Sequence, residues 1–286
     1  MILRFTHHAH KKGSPMHGMH ARLPKNFVLE ERLERYADAI ELEPVLLAGR
    51  WGEACWPLDP QHDGTAFKEV RLDLGCGKGA FLVESAQRNP QVLYVGMDVE
   101  PLCIAYAAQH IMEAGLRNAV VVPGKGDAVC QAFGPQELSC LYVNFPTPYP
   151  RKKEAHRRLV VLERLLEYRR VLAPGATLQL RTDSQPLRDF TLAQLDLAGY
   201  EVLWSSEDER SERPDDPTSE YEDRLTEAGA KVLSIWATPG EDPGAVEQTA
   251  SLSLVDYLPD DLFDGEYVPH GMQGTITNLR NRHRRG

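Results

Sequence analysis

From Val70 onward, short apolar runs alternate with longer segments of helical spacing, and that alternation calls for a parallel sheet with crossover helices. The runs are VRLDL (70–74), VLYVGMD (92–98), AVVV (119–122), LSCLYVNF (138–145) and ATLQLRT (176–182). Helix-like segments lie between them at 80–89, 101–115, 127–133, 158–172 and 185–198. Parallel neighbours cannot be joined by a tight turn, and helices of this length make the crossovers and cover both faces of the sheet. EVLWSS (201–206) and AKVLSIWAT (230–238) read as an antiparallel hairpin that closes it. The link between them holds nine acids in residues 207–223 and several prolines, and is expected to be a mobile loop. The expected class is α/β: a Rossmann-like, mostly parallel sheet with helices on both faces and an antiparallel last strand.

Four segments are expected: a basic, flexible arm (1–26), a helical and irregular segment (27–65), a core domain (66–238) and a carboxy-terminal extension (239–286) with little periodicity. The arm holds five histidines at irregular spacing with no carboxylate among them, so no metal site is expected. The five cysteines, Cys55, Cys76, Cys103, Cys130 and Cys140, form no CxxC pair, which argues against a zinc site or a disulfide framework. No apolar run approaches the roughly 18 residues of a membrane span. The amino terminus, MILRFTHHAHKKG, lacks the apolar core of a signal peptide. A reduced, cytoplasmic, enzyme-like protein with no membrane partner is expected.

The first strand runs into Asp73-Leu-Gly75-Cys-Gly77-Lys-Gly79, and a helix follows. Glycines at these positions let the backbone turn sharply and approach a ligand closely. The pattern fits the loose dinucleotide fingerprint, with Ala80 in its last place, so by itself it leaves a nicotinamide enzyme or a ligand-free tight turn open. Asp73 stands two residues before the first glycine. Asp98 ends the second strand, where a carboxylate can accept hydrogen bonds from ribose hydroxyls. Gly126-Asp127-Ala128 follows the third strand.

The fourth strand ends in Asn144-Phe-Pro-Thr-Pro-Tyr-Pro150, a loop stiffened by three prolines, in which Phe145 and Tyr149 can offer an aromatic wall to a base. Arg151-Lys-Lys-Glu-Ala-His-Arg-Arg158 follows at once. The net charge of −10 conceals a strong asymmetry. Residues 1–26, 151–170 and 278–286 together carry 17 bases against 3 acids. A chain acidic overall can still present one basic face to phosphates. A ligand-binding glycine loop, a rigid aromatic loop and a basic run, in that order, describe a small-molecule site beside a nucleic-acid-binding face. The expected phosphate contacts are the amino-terminal arm and the basic segment 157–170.

The acid-x-Gly-x-Gly-x-Gly form resembles motif I of the S-adenosylmethionine-dependent methyltransferases. More specifically, LDLGCGKG, GMDVE, GDA, NFPTPYPRKKEAHRRL, PGATLQLRTD and SEYEDRLTEAG occur in the order and spacing of the bacterial tRNA (guanine-N7)-methyltransferases, over about residues 66–238. The resemblance implies a class I methyltransferase fold, S-adenosylmethionine as cofactor, tRNA as partner, a monomer or homodimer, and methylation of guanine-46 N7 in the variable loop. It implies cofactor positions at Asp73, Gly75, Gly77, Asp98, Asp127 and Asn144. It implies catalytic roles for Thr147, Asp183 and Glu222. It implies substrate contacts at Tyr149, Arg151, Arg157, Arg158, Asp183, Ser219, Tyr221 and Glu222. The family loop normally reads Phe-Pro-Asp-Pro-Trp-Pro-Lys; here Thr147 replaces the Asp, Tyr149 the Trp and Arg151 the Lys. Ser219 stands for the family's Thr. Two alternatives share the fold: a methyltransferase acting on another base, as the amino-methylating Asn-Pro-Pro-Tyr loop would indicate, and a cofactor- and tRNA-binding homologue that transfers nothing.

Overall fold

A computed structural model of the chain describes residues 28–55, 66–259, 268 and 271–283. The His-rich arm and the last two arginines lie outside the described residues. The helices are α1 (Leu29–Arg35), α2 (Trp51–Ala54), α3 (Ala80–Arg88), α4 (Pro101–Glu113), α5 (Val129–Ala132), α6 (Leu162–Val171), α7 (Gln185–Leu197), α8 (Glu209–Glu212), α9 (Glu220–Glu227) and α10 (Gln273–His283). The strands are β1 (Glu69–Leu74), β2 (Val92–Asp98), β3 (Ala119–Pro123), β4 (Leu138–Asn144), β5 (Leu172–Thr182), β6 (Tyr200–Ser206) and β7 (Leu233–Pro239).

They form one seven-stranded sheet in the order β3-β2-β1-β4-β5-β7-β6. All pairs from β3 to β5 are parallel, while β7 runs antiparallel between β5 and β6. This is the Rossmann-like arrangement with an antiparallel last strand. Side chains alternate faces along a strand, and two apolar clusters result. Leu72, Leu74, Leu93, Val95, Leu141 and Val143 join α6 and α7 on one side. Phe81, Tyr94, Ile104, Ile111, Val121 and Tyr142 make the other with α3 and α4. Strands buried on both faces carry unbroken apolar runs, which is why the core strands read so clearly in the sequence.

Two regions differ from the sequence expectation. The acid-rich link 207–223 is folded around a buried ion cluster. Glu209 is fully buried and faces Arg181, which donates from Nη2 to Glu209 Oε1 at 2.7 Å and from Nε to both carboxylate oxygens at 3.0 Å. Ser234 also donates to Glu209, and Arg181 Nη1 donates to the Pro217 carbonyl at 2.9 Å. Burial opposes the Arg181 charge, but the facing carboxylate more than offsets it. The acids of this link are therefore partly structural. The second region is the carboxy-terminal segment, where Leu254, Met272 and Ile276 are buried in the α6–α7 core cluster. No helix among the described residues is long and apolar enough to cross a membrane.

Candidate active site

The parallel sheet changes direction of progress between β1 and β4, and ligands of such sheets bind beyond the strand ends at that point. A cavity of about 240 Å³ lies there. Its wall runs from Asp73 through the glycine loop 75–79 into the first turn of α3, and takes in Cys103, Asn144 and Phe145. Ser219, Glu220, Tyr221 and Arg224 supply the remaining side.

The glycines are needed for different reasons. Gly75 and Gly77 hold φ of 83° and 54° where a Cβ would meet almost nothing, so backbone conformation is what demands them, and the space beside them stays clear. Gly79 has φ 81° and a Cβ there would lie 2.8 Å from the Ala107 Cβ, so it also sets how closely the loop approaches α4. Asp98 is not on the wall but anchors it: Oδ2 accepts from the Gly77 amide and Oδ1 from the Glu100 amide, both at 2.9 Å. Asp127 is exposed on the 3₁₀ turn Gly126–Ala128, and is likewise not a wall residue.

Asp73 and Asn144 end adjacent strands and touch, with Asn144 Nδ2 donating to Asp73 Oδ1 at 3.1 Å. Asp73 is 1% exposed. Burial pushes its carboxyl up from 3.8 to about 7; the Asn144 bond and Arg181 pull against this, and Asp98 adds to it. Asn144 Oδ1 is buried without a hydrogen-bond partner. Two acceptors, one a suppressed carboxylate and one orphaned, fit the ammonium of an amino-acid group. This pair of acceptors therefore suits the methionine part of S-adenosylmethionine.

A pH dependence follows from the Asp73 shift. The folded, ligand-free protein holds a proton on Asp73 between about pH 4 and 7 that the unfolded chain has lost, so stability from this group falls as pH rises through that window. A bound ammonium favours the carboxylate, so binding of S-adenosylmethionine near pH 6 is expected to release about one proton, an effect gone by pH 8. Calorimetry in buffers of different ionisation enthalpy measures it directly. Absence of release at pH 6, or its persistence in Asp73→Asn, would contradict this role for Asp73.

Beyond Asn144 the chain turns into the proline loop. Phe145 and Tyr149 take positive φ of 49° and 45°, a conformation that costs non-glycine residues about 1–3 kcal/mol and persists only where the surroundings enforce it. The Phe145 amide donates to the Arg181 carbonyl at 2.8 Å, which ties the loop's start to the ion cluster. Phe145 also packs on Tyr221, centroids 5.3 Å apart. Thr147 is exposed. The Arg157 guanidinium covers the Tyr149 ring at 4.2 Å, and Arg151, Lys152, Lys153 and Arg157 are all exposed.

Three expected site residues have other occupations. Arg158, expected on the substrate, is 1% exposed and donates from Nε to the Pro148 carbonyl at 2.9 Å and from Nη2 to that of Tyr149 at 2.7 Å. It also lies 4.4 Å from the Phe190 ring, and burial lowers its pKa to about 10. Arg158 is thus a strut inside the loop and not a phosphate contact. Glu222, expected to be catalytic, is 1% exposed, absent from the cavity wall, and ion-paired with Arg210; burial raises its pKa. Ser219 caps α9, its hydroxyl accepting from the Glu222 amide at 3.1 Å, while still lining the cavity. The later part of the basic segment is also committed. Arg164 pairs with Glu167, and Arg169 donates to the carbonyls of Ala198, Gly199, Gly240 and Glu241.

Asp183 follows β5 and is 9% exposed; its charge, after burial, raises the Tyr221 phenol. The sequence reading missed Lys78, whose ammonium reaches Glu220 at 3.3 Å, linking the glycine loop to α9 beside the cavity. It also missed Cys103, whose thiol burial pushes up to about 12.

Known proteins similar to this chain are methyltransferases. A family profile described as "Putative methyltransferase" matches residues 68–235. The tRNA (guanine-N(7)-)-methyltransferase of Lactiplantibacillus plantarum is 30% identical over 71% of this chain and 91% of its own length. That of Levilactobacillus brevis is 30% identical over 68% of this chain and 87% of its own.

Proposed function

Because the chain belongs to the tRNA (guanine-N7)-methyltransferase family, we propose that it transfers the methyl group of S-adenosylmethionine to N7 of a guanine in tRNA, with guanine 46 of the variable loop as the target. One observation carries the reading: Asn144 and Phe145 both line the cavity and begin the rigid aromatic loop, and in this reading that one backbone segment serves cofactor and base together.

In this reading Asp73 and Asn144 hold the cofactor's ammonium, while Asp98 and Asp127, which lie off the cavity wall, are assigned its ribose hydroxyls and adenine amino group on the family resemblance alone. Gly75 and Gly77 let the backbone come close. When bound, S-adenosylmethionine supplies an electrophilic methyl group on a sulfonium. Guanine N7 has an exposed lone pair, so no proton must leave before attack and no general base is required. The protein's work is then alignment of N7 with the methyl group and stabilisation of the positive ring that forms. Asp183, off the cavity wall but close enough for its charge to act on the wall residue Tyr221, is the carboxylate we assign to the second task. Tyr149, backed by Arg157, stacks the base, and Tyr221 and Phe145 wall the approach.

Two expected results test these roles. Thr147→Asp is expected to change turnover by less than about 10-fold, because attack by N7 needs no general base. A gain of about 10- to 150-fold, the worth of one charged hydrogen bond to the guanine edge, would show that threonine limits transfer. Charge reversal at Arg151 and Arg157 is expected to weaken tRNA binding and reduce the slope of log K against log salt by about 2, near one for each phosphate that is no longer neutralised. Unchanged binding would remove these residues from the interface. The target position is tested with a transcript in which guanine 46 is replaced by adenine: transfer is expected to vanish, and undiminished transfer would place the methyl group elsewhere.

A further inference from the structure

The carboxy-terminal segment touches the proline loop from behind at two separate places. The Leu254 amide donates to the Pro150 carbonyl at 3.1 Å. Gly271 lies against Pro148 so closely that a Cβ there would stand 3.1 Å from both Cγ and Cδ of the ring. The next residue, Met272, is fully buried and accepts a hydrogen bond from Ser184 Oγ at its sulfur, 3.2 Å away. Ser184 in turn follows Asp183. Tyr257 packs edge-on against Phe190, the ring that also carries the Arg158 guanidinium. Further back, Gln194 on α7 and Gln248 exchange amide hydrogen bonds at 2.6 and 3.0 Å.

These contacts converge on the part of the site that most needs support. The loop holds two non-glycine residues at positive φ, and such strain survives only when the surroundings over-determine it. Arg181 fixes the loop's beginning and Arg158 its middle. The contacts at Leu254 and Gly271 fix its end and its rear face. We propose that the carboxy-terminal segment is a positioning strap for the substrate loop: Leu254 and Gly271 hold Pro150 and Pro148, and through them the angle at which Tyr149 meets the target base. The loop is thereby set by residues more than 100 positions downstream of it. The catalytic part of this inference rests on the methyltransferase reading; the mechanical part does not.

Gly271→Ala tests it, with Gly244→Ala as the control. Both glycines have positive φ, 79° and 66°, and both lie in the carboxy-terminal segment, but nothing lies within 4 Å of a Cβ at Gly244. The two alanines therefore carry similar backbone strain, and only one presses on the loop. Amide exchange is read at Phe145 and Leu254, whose N–H groups are bonded at the loop's two ends, together with turnover on tRNA and the affinity for S-adenosylmethionine. Gly271→Ala is expected to speed exchange at both amides severalfold and to lower kcat about 10-fold or more, with cofactor affinity within about twofold of wild type. Gly244→Ala is expected to leave all three near wild type. Equal exchange and equal kcat in the two variants would overturn the strap, as would a fall in cofactor affinity matching the fall in kcat. If exchange separates the variants while the wild-type protein methylates no tRNA, the strap stands and the functional reading falls.

Discussion

Asp73→Ala is expected to weaken S-adenosylmethionine binding about 10- to 150-fold and to lower kcat/KM for the cofactor by the same factor, the loss of one charged hydrogen bond worth about 1.5–3 kcal/mol. Asp73 sits near the carboxyl end of the inner strand β1, paired with β2 on one side and β4 on the other, so its carboxylate is held by backbone and not by a flexible loop. Its raised pKa records how little solvent reaches it. The same isolation makes it a strong partner for a cation. The melting temperature of the ligand-free protein is expected to shift little, because relief of the buried carboxyl's desolvation offsets the hydrogen bond that Asn144 Nδ2 loses. Unaltered cofactor affinity in a folded Asp73→Ala protein would show that the ammonium binds elsewhere.

Glu209→Ala is expected to destabilise the fold by about 3–5 kcal/mol, since it leaves the Arg181 guanidinium buried without its carboxylate. At about 2–4 °C per kcal/mol for a chain of this size, the melting temperature should fall by on the order of 10 °C. The consequence reaches the site as well, because the Phe145 amide is bonded to the Arg181 carbonyl. Activity measured below the new melting point should therefore also fall. An unchanged melting temperature would mean that Asp216, 3.8 Å from Arg181, carries the charge balance alone.

The core strands and the glycine loop were legible because their signals are local. A strand buried on both faces writes an apolar run, and a backbone with positive φ at Gly75, Gly77 and Gly79 writes glycine. Arg158 was not legible. In the sequence it is one more base in a basic run; its burial depends on Phe190, 32 positions away, and on carbonyls that only the folded loop presents. Glu209 and Glu222 were hidden in the same way, since their partners come from β5, β7 and α8 and not from neighbours on one helix face. One local signal was available in that link. Ser219-x-x-Glu222 is the pattern of a helix start, and the Ser219 hydroxyl does cap α9. The carboxy-terminal segment gave no periodicity to read, because its packing rests on a few separated residues, Leu254, Met272 and Ile276.

Methyl transfer to tRNA is tested most directly with labelled S-adenosylmethionine and an unmodified tRNA transcript, followed by nucleoside analysis of the product. The expected labelled nucleoside is N7-methylguanosine, recognised by its fixed positive charge. Label in a base methylated on an exocyclic nitrogen, or cofactor and tRNA binding with no transfer at all, would contradict the proposed activity.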